Sequence, residues 1–202
     1  MGARITSITG LQNLTNLTGL ELGWNSLTTV NLSGMSSLIY VDISDQNSPN
    51  VLGENYLTSV NLIGCTAIQE LRLDDSDFSN GIPDISDLIA LQDIDLDECG
   101  ITGTVDLSSF PSLKGFDLSG NTSLTSVTIL DTQPLGDGIF VYIHNCALLP
   151  SAVDDILIAL AANTINNSTV TLDGGTNAIP GVAGLAAKVT LEGRGWTVNV
   201  NS

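Results

Sequence analysis

One spacing recurs along this chain: apolar, any residue, apolar, two more residues, then a small polar residue or cysteine. Six segments follow it. They are Leu20-Glu21-Leu22 to Asn25, Val41-Asp42-Ile43 to Gln46, Leu71-Arg72-Leu73 to Ser76, Ile94-Asp95-Leu96 to Cys99, Phe116-Asp117-Leu118 to Asn121, and Val141-Tyr142-Ile143 to Cys146. Five carry a further apolar residue three positions earlier, at Leu17, Leu38, Ile68, Leu91 and Leu113, which fall 21, 30, 23 and 22 residues apart. A unit this short cannot bury its apolar side alone, so it must stack on its neighbours. The 30-residue interval holds an interrupting loop, Ser48 to Asn55.

Each apolar-x-apolar triplet has the period of a strand buried on one face. The flanking residues then point inward, and Glu21, Asp42, Arg72, Asp95, Asp117 and Tyr142 point outward. The next outward position on one side holds Gly19, Tyr40, Glu70, Asp93, Gly115 and Phe140. On the other side it holds Gly23, Ser44, Asp74, Asp97, Ser119 and His144, followed by Trp24, Asp45, Asp75, Glu98, Gly120 and Asn145. Neighbouring strands sit about 4.7–5 Å apart, so Glu70, Asp93, Asp95 and Asp97 crowd like charges beside one cation, Arg72. The terminal Asn, Gln, Ser or Cys turns inward, where it can bond backbone that makes no ladder.

Second-half segments such as Leu27 to Leu32, Leu57 to Leu62 and Leu124 to Ile129 are also strand-like and give an 11-residue sub-period. Gly81-Ile82-Pro83 and Thr102-Gly103-Thr104-Val105 are variants of the second half. The whole pattern resembles the leucine-rich repeat, L-x-x-L-x-L-x-x-N/C-x-L. Gly81-Ile82-Pro83 resembles its plant-type form, and the opening from Ile5 to Leu17 is similar to internalin-type bacterial surface arrays. The resemblance covers roughly residues 5–148. It implies a right-handed α/β solenoid of about six coils, with a parallel sheet on the concave face and a mostly strand or irregular convex side.

The last third changes character. Pro150 to Ala162 reads as a helix, with Ser151 as N-cap and Asp154 three residues on. Ser168–Leu172 reads as a strand, Asp173–Asn177 as a turn, Gly181–Leu191 as a second helix and Trp196–Val200 as a last strand. This α-β-α-β tail would cap the open end of an array. It resembles the closing module of phage-encoded repeat proteins, through Leu172 to Asn177 and Gly193 to Val198. The expected organisation is a lead-in at 1–16, a repeat array at 17–149 and a cap at 150–202.

Charge narrows the function. Five basic against 22 acidic residues give a net charge of −17, and Asp outnumbers Glu by 17 to 5. Such a chain is repelled by phosphate backbones and anionic headgroups, so nucleic acid is excluded as a partner. No apolar run approaches the roughly 20 residues of a membrane span, and Met1 to Thr6 lacks the apolar stretch of a signal peptide.

Catalytic signatures are weak. His144 is the sole histidine, which leaves no histidine metal cluster, and no nucleophile elbow or phosphate loop occurs. Asp93, Asp95 and Asp97 begin a calcium-loop pattern that fails at Glu98 and Thr104. No cofactor is therefore expected, with surface calcium on Asp74, Asp75, Asp95 or Asp97 as the one alternative. Cys65, Cys99 and Cys146 are an odd set and read as small buried residues.

The expectation is a non-enzymatic recognition or adhesion module that binds a protein or a surface glycan through its acidic, aromatic-flanked concave face. The expected contacts are Trp24, Tyr40, Asp42, Glu70, Arg72, Asp93, Asp95, Asp97, Asp117, Tyr142 and His144. The resemblance implies an extracellular setting, on a bacterial surface or in a phage virion as a tail fibre or receptor-binding component. The alternatives are a virion decoration or spacer protein that contacts other virion proteins and a short polysaccharide hydrolase using paired acids.

Overall fold

The computed structural model describes residues 4–46, 56–129 and 139–202. The interrupting loop read at Ser48 to Asn55 lies outside the described residues. The chain forms two compact units, residues 1–101 and 102–202. Its class is α/β, with short strands in parallel pairs and two α-helices among the described residues.

The first unit contains β1 (Gly19–Glu21), β2 (Thr29–Asn31), β3 (Tyr40–Asp42), β4 (Ser59–Asn61), β5 (Glu70–Arg72) and β6 (Asp93–Asp95). The strands β1, β3, β5 and β6 lie side by side in that order, and β2 pairs with β4. Register runs through equivalent repeat positions: Leu20 faces Val41, Val41 faces Leu71, and Leu71 faces Ile94. The apolar partners Leu22, Ile43, Leu73 and Leu96 are buried with them. Register is pinned because a one-residue slip would turn this whole apolar set to solvent.

After each of these strands the chain turns at a left-handed residue, at Trp24 (φ 60°), Asp45 (φ 53°), Asp75 (φ 53°) and Glu98 (φ 50°). The turn aims the next side chain inward. Gln46 is fully buried and donates from Nε2 to the carbonyls of Leu22 (2.8 Å), Ile43 (3.2 Å) and Ser44 (2.9 Å). Its Oε1 accepts the amide of Leu27 at 2.9 Å. The Cys99 thiol reaches the Leu73 carbonyl and the Cys65 thiol that of Leu32. The inward Gln and Cys side chains thus bond turn carbonyls where the strand pairing ends.

The second unit contains β7 (Thr102–Asp106), β8 (Gly115–Asp117), β9 (Ser123–Thr128), β10 (Phe140–Tyr142), α1 (Pro150–Ala162), β11 (Thr169–Leu172), α2 (Val182–Glu192) and β12 (Thr197–Val200). The order is β8, β10, β11, β12, while β7 pairs with β9 across an irregularity at Gly103 and Thr104. The two helices are the crossovers that parallel neighbours require. They bury Val153, Ile156, Leu157 and Leu160 from α1, and Ala187 and Leu191 from α2.

Ser151 is not the cap of α1. The N-cap is Leu149, no side chain bonds the free amides, and Pro150 takes the first helical position, where a missing N–H costs nothing. Asp154 instead accepts the Gly181 amide at 2.7 Å, ahead of α2. The small residues Gly181 and Gly184 leave room for that carboxylate.

Candidate functional site

In the first unit, strand register sets side chains from successive repeats next to one another. Tyr40 pairs with Glu70 and Glu70 with Asp93, while Glu21 pairs with Asp42, Asp42 with Arg72 and Arg72 with Asp95. Asp45 and Asp75 donate their amides to the Asp74 and Asp97 carbonyls, so the pairing extends one step past the strands. The outward surface of β3, β5 and β6 is therefore a field of carboxylates with a single guanidinium.

Arg72 sits against Glu70, at 2.7 Å from Nη2 and 2.9 Å from Nε. Burial works against its charge, but Glu70, Tyr40 and Asp42 outweigh that and hold its pKa above the usual value. The Tyr40 hydroxyl donates to Asp42 at 3.4 Å. Its pKa is raised by burial first and the Asp42 charge next.

The carboxyl oxygens of Asp74, Asp95 and Asp97 lie within 4.8 Å of one another, as do those of Asp45, Asp74 and Asp75. The two groups share Asp74. Burial pushes the Asp74 pKa up to about 7, helped by the charges of Asp95, Asp45 and Asp42 against the opposing pull of its own backbone amide. Asp45 is raised as well, by burial and by its hydrogen bond and repulsion with Asp75. Hard oxygen donors this close are the residues that could hold a divalent cation. Sequence reasoning named Asp74, Asp75, Asp95 and Asp97 but missed Asp45. Its signal was its repeat position, equivalent to Asp75.

Part of this acidity has local work to do. Asp42 accepts the Ser44 amide (3.0 Å) and hydroxyl (2.7 Å), and Asp95 accepts the Asp97 amide at 3.3 Å. These side chains turn the chain at the strand end, and Asp reaches the second amide onward where Glu is too long.

Of the expected contacts, Trp24, Tyr40, Asp42, Glu70, Arg72, Asp93, Asp95 and Asp97 belong to the first unit. Trp24 stands at the left-handed turn rather than in a strand, and is 69% exposed. Asp117, Tyr142 and His144 belong to the second unit. There Asp117 pairs with Tyr142, and its carboxylate accepts the Ser119 amide at 2.8 Å. The Ser119 hydroxyl meets His144 Nδ1 at 2.7 Å, but Ser119 is 4% exposed and unsuited to attack a substrate. The Tyr142 ring lies 5.4 Å from that of Phe140, which stands at the adjacent outward position and is not among the expected contacts. No protein-family model matches the chain, and comparison with curated proteins gives no match.

Proposed function

We propose that this chain is a leucine-rich-repeat solenoid with a C-terminal α/β cap, and that it is a non-catalytic recognition module. Support for the solenoid comes from equivalent repeat positions in parallel register and from inward Gln and Cys side chains bonded to turn carbonyls. The ligand is a protein with a basic patch, bound on the outward face of β3, β5 and β6. One observation carries this reading: the carboxyl oxygens of Asp74, Asp95 and Asp97, and those of Asp45, Asp74 and Asp75, lie within 4.8 Å of one another, and burial first, then the charges of Asp95, Asp45 and Asp42, raise the Asp74 pKa to about 7. Carboxylates held against their own repulsion gain most when cationic side chains arrive. Tyr40 and Trp24 supply amphipathic contact area near those charges. The proposed setting is a bacterial surface or a phage particle.

The test is a binding screen against bacterial surface proteins, a glycan array and an oligolysine peptide as the minimal cationic probe. The Asp95→Asn, Asp97→Asn double variant is run in parallel. The expected result is binding of basic proteins and of oligolysine that weakens about tenfold in the variant and falls steeply with salt. Binding that ignores both the variant and salt overturns this face as the site. Incorporation into a particle unaffected by the variant favours the decoration or spacer role, and reducing-sugar release lost in the variant favours a hydrolase.

A further inference from the structure

In the second unit α2 carries an apolar stripe on the side away from its core contacts. Gly184, Ala187 and Leu191 are buried. Val182 is 90% exposed, Leu185 46% and Val189 69%, and Ile179 just before the helix is 57% exposed. The positions 182, 185 and 189 have the i, i+3, i+7 spacing of one continuous helical seam. A soluble surface carries single exposed apolar residues without consequence, but not a seam of them.

We infer that this stripe is the docking surface for a second copy of the same chain. Charge selects the occupant. The chain as a whole carries −17, so most faces repel a copy. Within α2 the charged residues are Lys188 and Glu192, and they form an ion pair with each other, which leaves the helix without net charge. A basic partner gains nothing here, whereas an identical neutral apolar seam is complementary to itself across a two-fold axis.

Area agrees with a weak dimer. The four exposed apolar residues present on the order of 450 Å² per copy, the scale of a patch with a function. Facing copies would bury about 900 Å² from these residues alone, and flanking residues such as Ala183, Ala186 and Thr190 bring the contact toward the ~1,200 Å² where specific interfaces begin. Repulsion between two acidic bodies is screened as salt rises, so this association strengthens with ionic strength. That is the opposite of the salt response expected for a basic ligand on the acidic face, so the two readings fail separately.

Sedimentation velocity over about 5 to 300 µM, at low and high salt, tests the inference on the full chain. The expected result is a shift from monomer to dimer with concentration, displaced to lower concentration by salt. The Val182→Lys, Val189→Lys double variant should remain monomeric throughout. Both positions are exposed, so the fold should survive, which its circular dichroism melt checks. The substitution lowers the net negative charge, so loss of the dimer reports the charged and desolvated seam itself and not a stronger repulsion between the two acidic bodies. A wild-type chain that stays monomeric at the highest concentration and salt, or a dimer that the folded double variant retains, overturns the inference.

Discussion

The inward position of each repeat shows how one side chain can decide whether a turn is stable. Gln46 satisfies three carbonyls and one amide while fully buried. In the second unit Asn121 donates to the carbonyls of Leu118 and Ser119, and Asn177 donates to those of Ile143 (2.7 Å) and Leu172 (2.9 Å) and accepts the Leu148 amide. Truncating Gln46 to alanine removes its four bonds and takes the partner from the Ile43 carbonyl and the Leu27 amide, while the Leu22 and Ser44 carbonyls keep Asn25 Nδ2 and the Trp24 amide. The expected cost is about 2–4 kcal/mol, read as a lower urea midpoint with an unchanged slope. Ser76 is the contrasting case: its hydroxyl is buried and has no hydrogen-bond partner among the described residues. Serine is too short for the carbonyls that Asn and Gln reach. Ser76→Asn should therefore stabilise by about 1 kcal/mol, while Ser76→Ala should be nearly neutral because it removes an unmet donor. A melting temperature unchanged in Gln46→Ala or lowered in Ser76→Asn would contradict this account.

At the scale of elements, the strands and their faces were legible because a two-residue alternation is local. Local spacing places Asn177 in a turn because the repeat spacing breaks there. The inward residue follows Leu20 by five positions but Val170 by seven, since Asp173 to Thr176 loop out first. The start of α1 misled for the opposite reason. Ser151 and Asp154 have the spacing of a local cap, yet Asp154 bonds Gly181, which is 27 residues away and invisible to any local pattern. The same loop makes a sharp prediction. Gly175 has φ 54°, and a Cβ there would fall 2.7 Å from Asn145 Cα and 2.9 Å from the Cys146 carbonyl oxygen. Backbone cannot yield as a side-chain tip can. Gly175→Ala should cost about 2–4 kcal/mol in thermal or denaturant melts, whereas Gly19→Ala, which meets nothing within 4 Å, should change stability by less than about 1 kcal/mol.

On the scale of the whole molecule, the acid excess was plain from composition, but its consequences depend on which carboxylates are crowded and which are bonded. Asp77 and Asp106 lie below their usual pKa because the hydroxyls and amides of Ser79 and Ser108 stabilise the ionised form. They add stability above pH ~4 that is lost on further acidification. Asp74 runs the other way. Its folded pKa is about 7 against an unfolded value near 3.8, so between those values the folded state holds the extra proton. Its contribution is complete below pH ~4 and disappears as pH rises through 7. Because Asp74 is only partly buried, solvent screening reduces the effect to about 1–2 kcal/mol. Unfolding free energy should therefore fall by that amount between pH 5 and pH 8, and the slope should flatten in Asp74→Asn. Equilibrium urea melts across that range measure it directly. A profile in which the variant and the native chain fall in parallel would mean that burial and the neighbouring charges do not hold the Asp74 carboxyl above its usual pKa. It would also remove the energetic reason for a cationic partner to settle there.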